Sequence, residues 1–599
     1  MSGRILRKMR TTSSDVERII VMTATATSHQ VAWRFIVADN DRLASWLTAS
    51  HDDGRRIVDV SSRDLLDIYL ETEDWRLHRA GLLLRLRCTT VQSTAATHYE
   101  AQLEAHDGLV TSIAPLANAR AVTLREAGGE LGHCVRSIAG RRPLHPLCEL
   151  RTRREIYVLE QQGEHSAAVH VDAVNDSADL EGEPRFRVEV QTRPADRDRL
   201  AGFVEAMQRE CAFEAEVASP LSRALALRGV VPVESPALGP TAIEPEHSVA
   251  SAAYAVLRAH FTTLWKYESR VRLGEDTEAV HQMRVATRRL RAALQLFEDV
   301  LPPRRQAWLR DEFRWLGGVL GVVRDLDVLS ANLRAQGLSR PEIEQAALPE
   351  ILARFEGRRA AAQVRLLEEM DSERYERLIA VTTLALQRGI PPRSRAARLS
   401  VGAGVPRRIT RLHRAVRKLA ARIEPESPLE QLHDLRIRCK QLRYAMECFG
   451  SVYGKPAKKF SRDLAAIQSA LGLQQDAAVA AALRTEVATW GEVTPASAVA
   501  LELFVREAET RALAVRLRLE ELLAGIDGKT WKRLRRAMRR CRRATVRIAV
   551  SRPQPRRRRG ATAPLAAAVE PAPAEVVEAR VTDPAESIDA ATQPSTLDS

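Results

Sequence analysis

The chain has 599 residues and a mass of 66.6 kDa, which allows two to four folded domains at about 150 residues each. Hydrophobic residues make up 45% and aromatic residues 5%, and no run reaches the roughly 18–20 apolar residues of a membrane-spanning helix. Lysine and arginine together number 91 against 77 acidic residues, and only nine of the 91 are lysines. Because the planar guanidinium group suits bidentate contacts with phosphate, this charge favours an anionic partner. No membrane partner is predicted.

The N-terminal segment and the cysteines indicate the cellular compartment. Residues 1–27 are polar, basic and aperiodic, which predicts disorder, and they lack the apolar segment and cleavage site of a signal peptide. The seven cysteines are scattered and no two have C-x-x-C spacing, so neither a zinc site nor a disulfide framework is predicted. We therefore expect a cytoplasmic protein.

Residues 28–230 have the texture of a β-rich domain made of short apolar runs. In Leu84, Arg85, Leu86 and Arg87 the arginines alternate with leucines, which is the period-2 pattern of a strand with one charged face. Such a face is either exposed to solvent or lines the inside of a closed barrel. Several arginine-bearing runs recur, and the sequence leaves both arrangements open.

The chain changes character after this region. Residues 231–246 are proline-rich and aperiodic, which predicts a linker. Residues 247–545 are dominated by helix-forming Ala, Leu, Arg, Glu and Gln, so we expect an all-α domain. Residues 546–599 are first basic and then acidic, and we expect a disordered tail.

The helical domain contains an internal repeat, with copies at about 250–400 and 401–545. The segments at 280–297 and 432–449 share the pattern His-x2-Arg-x3-(Arg/Lys)-x2-Arg, in a register of 152 residues. Each segment is followed by an LG-x3-D motif. A pattern that recurs in this way is unlike the scattered charges of an ordinary solvated helix.

Helical geometry places the repeated polar residues on one face, because offsets of 3, 7 and 10 fall within an arc of roughly 80°. We call the row on each helix its cationic stripe. The two stripes consist of His281, Arg284, Arg288 and Arg291, and of His433, Arg436, Lys440 and Arg443. The apolar residues lie opposite and are predicted to be buried: Met283, Ala286, Leu290, Ala293, Leu294 and Phe297, with Leu435, Leu442, Ala445, Met446 and Phe449. Two facing stripes predict an anion-binding groove, and a solvated basic face is the alternative. Metal ligation by the histidines is not predicted, because no partner has ligand spacing.

The repeated pattern resembles the CHAD family, the conserved histidine α-helical domain, over residues 247–545. The resemblance implies two four-helix bundles related by a pseudo-twofold axis, with a basic central pore that binds inorganic polyphosphate. It assigns the cationic stripe, histidines included, to contacts with phosphate. Four further cations share the 152-residue register and are supporting candidates: Lys266, Arg270, Lys418 and Arg422.

Residues 28–230 resemble the CYTH family, the triphosphate tunnel fold, which implies an eight-stranded antiparallel β-barrel in front of the helical domain. Residues 67–87 carry the likeness to one of its signatures. The E-x-E-x-K signature is replaced by Gln30, Ala32 and Arg34, and Glu104 stands where the family has a lysine. The predicted fold is therefore an antiparallel tunnel barrel followed by two helical bundles, with disordered termini.

The missing carboxylates bear on the cofactor. Mg²⁺ or Mn²⁺ requires hard oxygen ligands, and Asp172 and Glu189 alone make a weak metal site. No catalytic residue and no cofactor is therefore predicted, and a metal is expected only if the barrel is active. The arginines of the barrel are predicted to contact phosphate without cleaving it: Arg34, Arg85, Arg87, Arg151, Arg153 and Arg154.

Three functions follow as alternatives. The leading prediction is a polyphosphate-binding protein, with polyphosphate granules as a further predicted location. The second is a metal-dependent inorganic triphosphatase of the CYTH type. The third is non-specific nucleic-acid binding through residues 532–560, which hold fourteen basic residues and no acid but no aromatic platform for stacking bases.

Overall fold

The structure is a computed structural model that describes residues 31–551, except for 38, 50–54, 107–109, 119–122, 162–163, 177–184, 216–218, 275, 338–341, 390–393, 425, 488 and 490–493. The disorder predicted for residues 1–27 and the substitution at Gln30 lie outside the described residues, as does the tail after Ser551. Within the described part of the chain, none of the helices has the length and apolar character needed to cross a membrane.

The N-terminal part is a nine-stranded sheet in which every pairing is antiparallel. The strands are β1 (Val31–Val37), β2 (Arg55–Glu71), β3 (Leu82–Val91), β4 (Thr97–Ala105), β5 (Val110–Leu116), β6 (His145–Gln161), β7 (Glu164–Asp176), β8 (Arg185–Thr192) and β9 (Glu214–Ala215). They follow one another in the order β5-β4-β3-β2-β6-β7-β8-β1-β9. The predicted antiparallel arrangement of eight strands is confirmed, with the two-residue β9 added at one edge.

One face of this sheet packs against short helices. They are α1 (Asn40–Thr48), α2 (Arg76–Arg79), α3 (Thr123–Glu126), α4 (Gly129–Ala139), α5 (Arg197–Glu210) and α6 (Pro220–Leu227). Leu84 and Leu86 on this face are 1% and 2% exposed, which confirms the predicted alternation along β3. The side chains of Arg85 and Arg87 on the other face are only 12% exposed. The arginine-bearing face is therefore largely buried, which favours the interior arrangement over the solvated one.

The second part is helical. It contains α7 (Val249–Leu273), α8 (Thr277–Leu296), α9 (Pro303–Gly337), α10 (Glu342–Met370), α11 (Glu373–Arg388), α12 (Arg395–Arg398), α13 (Val401–Ala420), α14 (Leu429–Cys448), α15 (Gly450–Tyr453), α16 (Lys455–Val487), α17 (Pro495–Leu517), α18 (Leu519–Ala524) and α19 (Lys529–Ser551). The last helix continues past the boundary expected at residue 545. The all-α character of this part is confirmed.

The two repeated segments fold as α8 and α14, and each buries the apolar side opposite the cationic stripe. All of the side chains predicted to be buried there are at most 2% exposed. Phe297 and its repeat equivalent Phe449 meet edge to face, with ring centroids 6.1 Å apart. A single apolar cluster therefore passes through both repeats and fixes the rotation of each helix about its axis.

A buried ion-pair network joins the sheet to the helical part. Arg79 of α2 donates to Glu268 of α7 at 3.2 Å, and Arg76 donates to Glu376 of α11 at 3.1 Å. Arg272 pairs with the same Glu268 at 3.2 Å. Because Arg76, Glu268 and Arg272 are each at most 2% exposed, their charges depend on one another for compensation. This dependence couples the two parts of the chain.

Candidate functional site

The helices α8 and α14 lie against each other in antiparallel directions. Arg289 donates to Glu447 at 3.1 Å, and Gln441 donates to Gln295 at 2.9 Å. The 152-residue register exchanges these two contacts, since it relates Arg289 to Gln441 and Gln295 to Glu447. Such an exchange is what a local twofold relation between the repeats requires. The stripes of the two helices are thereby brought together.

Lys440 lies at the centre of the cations. Burial, together with the positive charges of Arg436, Arg288, Arg284 and Arg443, lowers its pKa to about 8. Two of these arginines belong to α8 and two to α14, so the shift records that the stripes converge. We call the two stripes, taken together, the cationic cluster.

Several arginines of the cluster have donor atoms that are buried and not used. The Nε atoms of Arg288, Arg291, Arg436 and Arg443 have no hydrogen-bond partner among the described residues. Burial also lowers the pKa of Arg436, and Arg288 contributes to the same shift against an opposing effect of Asp476. An anion at this place would satisfy the donors and relieve the repulsion between like charges.

The LG-x3-D motif positions the first arginine of each stripe. The guanidinium of Arg284 lies over Gly321 on α9, so that a Cβ added to this glycine would come within 3.5 Å of Nη2. Gly472 on α16 has the same relation to Arg436, also at 3.5 Å. Asp325, from the same motif as Gly321, accepts a hydrogen bond from Arg284 at 2.8 Å. An acid from another helix therefore lies beside the stripe of α8, although the sequence of α8 alone places none there.

The helix α9 adds cations that the repeat does not identify. After burial, Arg314 and Arg310 are the main causes of the lowered pKa of Arg291, and Arg324 lowers that of His281. The Nε of Arg310 is buried and, among the described atoms, has no partner. The spacing of 4 and 10 residues along α9 places these three arginines on one helical face. This spacing is the signal that would have found them.

Tyr444 is a further residue that the pattern did not single out. The guanidinium carbons of Arg443 and Arg288 lie 5.1 Å and 5.8 Å from its ring centroid. Its hydroxyl is buried and has no hydrogen-bond partner in the described part of the chain. An aromatic ring below two guanidinium groups stabilises both of them by a cation–π interaction.

The two histidines of the stripe have different surroundings. Burial and the charge of Arg324 lower the pKa of His281, so this imidazole is neutral at pH 7. His433 is exposed, and its Nδ1 lies 3.1 Å from Oε1 of Gln475, which occupies the repeat position of Arg324. The repeat therefore preserves the histidine and changes its neighbour.

The four supporting candidates lie at the surface. Lys266, Lys418 and Arg422 are exposed, and Arg270 forms an ion pair with Asp276, the N-cap of α8. None of the four is among the charges that lower the pKa of Lys440. The shared register alone thus does not bring them into the cationic cluster.

The polar face of the sheet also carries arginines, but these are paired with acids. Arg87 forms two hydrogen bonds of 2.7 Å with Asp67. Although burial opposes it, the charges of Arg87 and Arg85 lower the pKa of Asp67 to about 2. Arg85 also pairs with Glu104, the residue that stands where the CYTH signature has a lysine. The positive charges of Arg85 and Arg87 are therefore compensated by acids on the same face of the sheet.

The carboxylates predicted as weak metal ligands, Asp172 and Glu189, are likewise paired with arginines. Asp172 accepts hydrogen bonds of 2.6 Å and 2.7 Å from Arg154. Glu189 lies 3.6 Å from both Arg34 and Arg187, and these arginines with Arg154 lower its pKa to about 2 against the effect of burial. Both acids thus hold arginines.

These residues do not fit the divalent metal that the CYTH resemblance implies. In the described part of the chain, no group of three or more His, Cys, Asp or Glu residues is placed to hold an ion. The nearby His170 has its pKa lowered to about 3 by burial and by Arg154, but its ring adds no negative charge. Arg34 and the other arginines of this face supply the compensation that a metal would provide.

Arg151 and Arg153 do not join this face. Successive side chains of a strand point to opposite sides of the sheet, so both lie on the side opposite Arg154. Both are exposed. The prediction that they contact phosphate inside a tunnel together with Arg154 is therefore wrong in its geometry.

Comparisons with known families and proteins agree with this division. The CYTH domain model matches residues 33–215, and the CHAD domain model matches residues 255–485. The chain therefore contains a CYTH domain followed by a CHAD domain. An uncharacterised protein from two strains of Mycobacterium tuberculosis is 28% identical over 447 residues, which are 71% of this chain and 82% of that protein.

Solved structures resemble one part of the chain at a time. The CHAD domain from the plant Ricinus communis is 30% identical and covers 48% of this chain and 93% of its own, with a TM-score of 0.40. PptA from Streptomyces chartreusis is 21% identical and covers 46% of this chain and 99% of its own, with a TM-score of 0.37. A Hippeastrum protein, reported to have a dominant triphosphatase activity, is 14% identical over 34% of this chain and 97% of its own, with a TM-score of 0.26.

Proposed function

We propose that this protein binds inorganic polyphosphate at the cationic cluster formed by α8 and α14. The observation that carries the proposal is Lys440, a half-buried cation whose pKa is lowered by burial and by the charges of four arginines from the two helices. Holding five like charges together costs free energy because they repel one another. A bound anion among them offsets this repulsion. The unused Nε donors of Arg288, Arg436 and Arg443 supply the hydrogen bonds.

The shape of the cluster favours a chain of phosphates over a single anion. The stripe spans ten residues on each helix, which at 1.5 Å per residue is about 15 Å. Cations recur along this length on both helices, so a ligand with a charge at every unit contacts several of them at once. Binding of this kind releases counterions and weakens as salt rises.

The CYTH domain is proposed to support the structure of the protein and not to hydrolyse triphosphates. Asp172 and Glu189 are held by arginines, and Ala32 with Gln30 replaces the two carboxylates of the first signature. A metal-dependent triphosphatase is the alternative. Release of phosphate from tripolyphosphate with Mg²⁺ or Mn²⁺, measured on the full chain, distinguishes the two, and turnover would contradict our proposal.

Non-specific nucleic-acid binding is a second candidate, and α19 is the observation in its favour. Trp531, Leu534 and Met538 of this helix are buried, while its arginines are largely exposed. Such a face attracts any polyanion through charge alone. We therefore expect DNA to compete weakly with polyphosphate at low salt and to lose this ability as salt is raised.

The deciding experiment measures the affinity of the full chain for immobilised long-chain polyphosphate. Replacing Arg288→Glu together with Lys440→Glu is expected to weaken binding by about 100-fold, because two charge-assisted contacts are lost and two repulsions gained. The matched control is Lys458→Glu with Lys459→Glu, two exposed cations of α16, which changes the net charge equally.

The control variant is expected to lose at most a few-fold in affinity. Circular dichroism of both variants checks that the helices persist. Equal losses in the two variants would show that net charge alone binds polyphosphate, and would contradict the assignment to α8 and α14. Retained wild-type affinity in the folded Arg288→Glu, Lys440→Glu variant would do the same. Enrichment of the protein with polyphosphate granules, lost in that variant, would extend the proposal to location.

A further inference from the structure

A cavity of about 620 Å³ lies between α7, α8, α14 and the linker residues 241–244. Ligand sites in proteins have volumes of roughly 300–1,000 Å³. The walls are mostly apolar and include Ala255, Val256, Ala292, Ala293, Leu296 and Ile243. The cavity is thus large enough for a small organic molecule and has the lining that such molecules select.

A few polar groups interrupt these walls. Arg289 on α8 pairs with Glu447, but its Nε is buried and, among the described atoms, has no hydrogen-bond partner. His260 on α7 faces this arginine, and burial together with Arg289 lowers the pKa of its imidazole to about 4. Burial raises the pKa of the Cys448 thiol to about 12, so it adds no charge at pH 7. Two carboxylates also line the cavity: Glu447 pairs with Arg289 and Arg443, and Glu244, whose side chain is 66% exposed, lies 3.9 Å from His247. The cation of the wall is the guanidinium of Arg289, and its Nε is the unused donor.

The cavity is separate from the cationic cluster although the two share helices. Arg289 follows Arg288 in sequence and so lies about 100° away around α8. Tyr444 forms the wall between the two places, since it lines the cavity and its ring lies 5.8 Å from the guanidinium carbon of Arg288. Polyphosphate, which carries a negative charge at each unit, does not suit mostly apolar walls that hold one arginine and two carboxylates, Glu244 and Glu447.

We propose that this cavity binds a small organic acid, with a largely apolar body against the alanine-rich walls and one carboxylate or sulfonate group paired with Arg289. The apolar body is stabilised by leaving water. The acid group satisfies the unused Nε donor of Arg289, and neutral His260 provides a second polar contact beside it. Glu447, which pairs with both Arg289 and Arg443, keeps its other arginine when the acid is present.

The test uses two fluorescent probes with nearly the same apolar body. The first is 1-anilinonaphthalene-8-sulfonate, and the second is N-phenyl-1-naphthylamine, which lacks the sulfonate. We expect the sulfonate to bind the full chain saturably, with one site per chain, and about tenfold more tightly than the neutral probe. Arg289→Gln is expected to remove this difference while leaving the neutral probe bound.

Filling the cavity gives the second readout. Ala259→Trp introduces a large ring from an exposed position on α7 that lines the cavity, so the helix is expected to fold, and both probes should lose at least about tenfold in affinity. Ala307→Trp, at an exposed position on α9, is the matched control and should bind as the wild type does.

Two outcomes would overturn the proposal. One is unchanged binding of both probes to Ala259→Trp. The other is loss of the sulfonate probe in the Arg288→Glu, Lys440→Glu variant, because the probe would then occupy the cationic cluster. Retention of the probe in that variant supports a separate site, whatever the variant does to polyphosphate binding.

Discussion

The polar face of the sheet and the cationic stripe of the helices both present rows of arginines, yet their surroundings differ. On the sheet several arginines lie directly opposite an acid on the neighbouring strand, as Arg87 does with Asp67 and Arg154 with Asp172. Arg63 is an exception, since it lies opposite Arg154. On the helices the cations of α8 face the cations of α14, and Lys440 is flanked by arginines. The comparison teaches that an arginine row predicts a ligand where cations face cations, even though single acids such as Asp325 and Glu447 pair with members of the row.

The difference has an energetic meaning. Buried pairs stabilise a fold only while both partners are present, and removing one leaves an uncompensated charge. Clustered like charges destabilise the fold and are tolerated where a ligand uses them. Loss of an acid on the sheet and loss of a cation on the stripe should therefore have effects of opposite sign on stability.

The largest effect is expected on the sheet. Asp67→Asn removes the charge that holds Arg87 and Arg85, so the free energy of unfolding should fall by about 3–5 kcal/mol. Urea denaturation measures it. The exposed Asp64→Asn, on the same strand, is the control and should cost less than about 0.5 kcal/mol. A loss no larger than that of the control would mean that water, and not Asp67, compensates the charges of Arg85 and Arg87. The contrast between the sheet and the helices would then be wrong.

The stripe should respond in the opposite way. Lys440→Met removes the central charge and keeps an unbranched side chain of similar length, so we expect a gain of about 1 kcal/mol in the free energy of unfolding. The same change should weaken polyphosphate binding by about tenfold. Destabilisation, or unchanged binding, would show that Lys440 contributes through packing and not through charge.

Much of this contrast was predictable from the sequence, and some of it was not. The helical period located the stripe and its buried opposite face, because spacing along one helix decides both. The pairing of Arg284 with Asp325 was not predictable from that helix, since the acid comes from α9. Tyr444 escaped attention for the same reason, because its role depends on Arg288 from the other repeat.

The sheet shows the same limit. The alternation of Leu84 and Arg85 predicted a charged face but left open whether it was solvated, because burial depends on the whole sheet. The three arginines at 151–154 appeared equivalent in composition, yet strand geometry turns Arg151 and Arg153 away from Arg154. Which acid faces which arginine is set by the register between strands that are far apart in the sequence. The pattern of residues along a single strand does not contain this register.

The pKa of Lys440 gives a prediction in alkaline solution. Its value of about 8 in the free protein lies below the ordinary 10.5, so the unfolded chain holds this proton to higher pH than the fold does. Stability should therefore rise between about pH 8 and 10.5, and polyphosphate affinity should fall over the same window as the ammonium charge is lost. Lys440→Arg should bind equally over that range, and a fall that persists in this variant would assign the titration to another group.

The smallest effect is expected from His281 in acid. Burial and Arg324 lower its pKa below the ordinary 6.5, so the free protein carries the neutral imidazole there, whereas bound phosphate favours the protonated form. Between the lowered free pKa and the higher bound pKa, binding takes up a proton, and affinity rises as pH falls through that window. We expect the affinity for polyphosphate to increase by about threefold, because the protonated imidazole adds one positive charge to a site that already holds many. His281→Gln should abolish most of it, and His281→Gln with His433→Gln all of it, while the salt dependence stays. If the acid enhancement survives in the double variant, the histidines serve only to cap and position their helices, and the arginines alone recognise the anion.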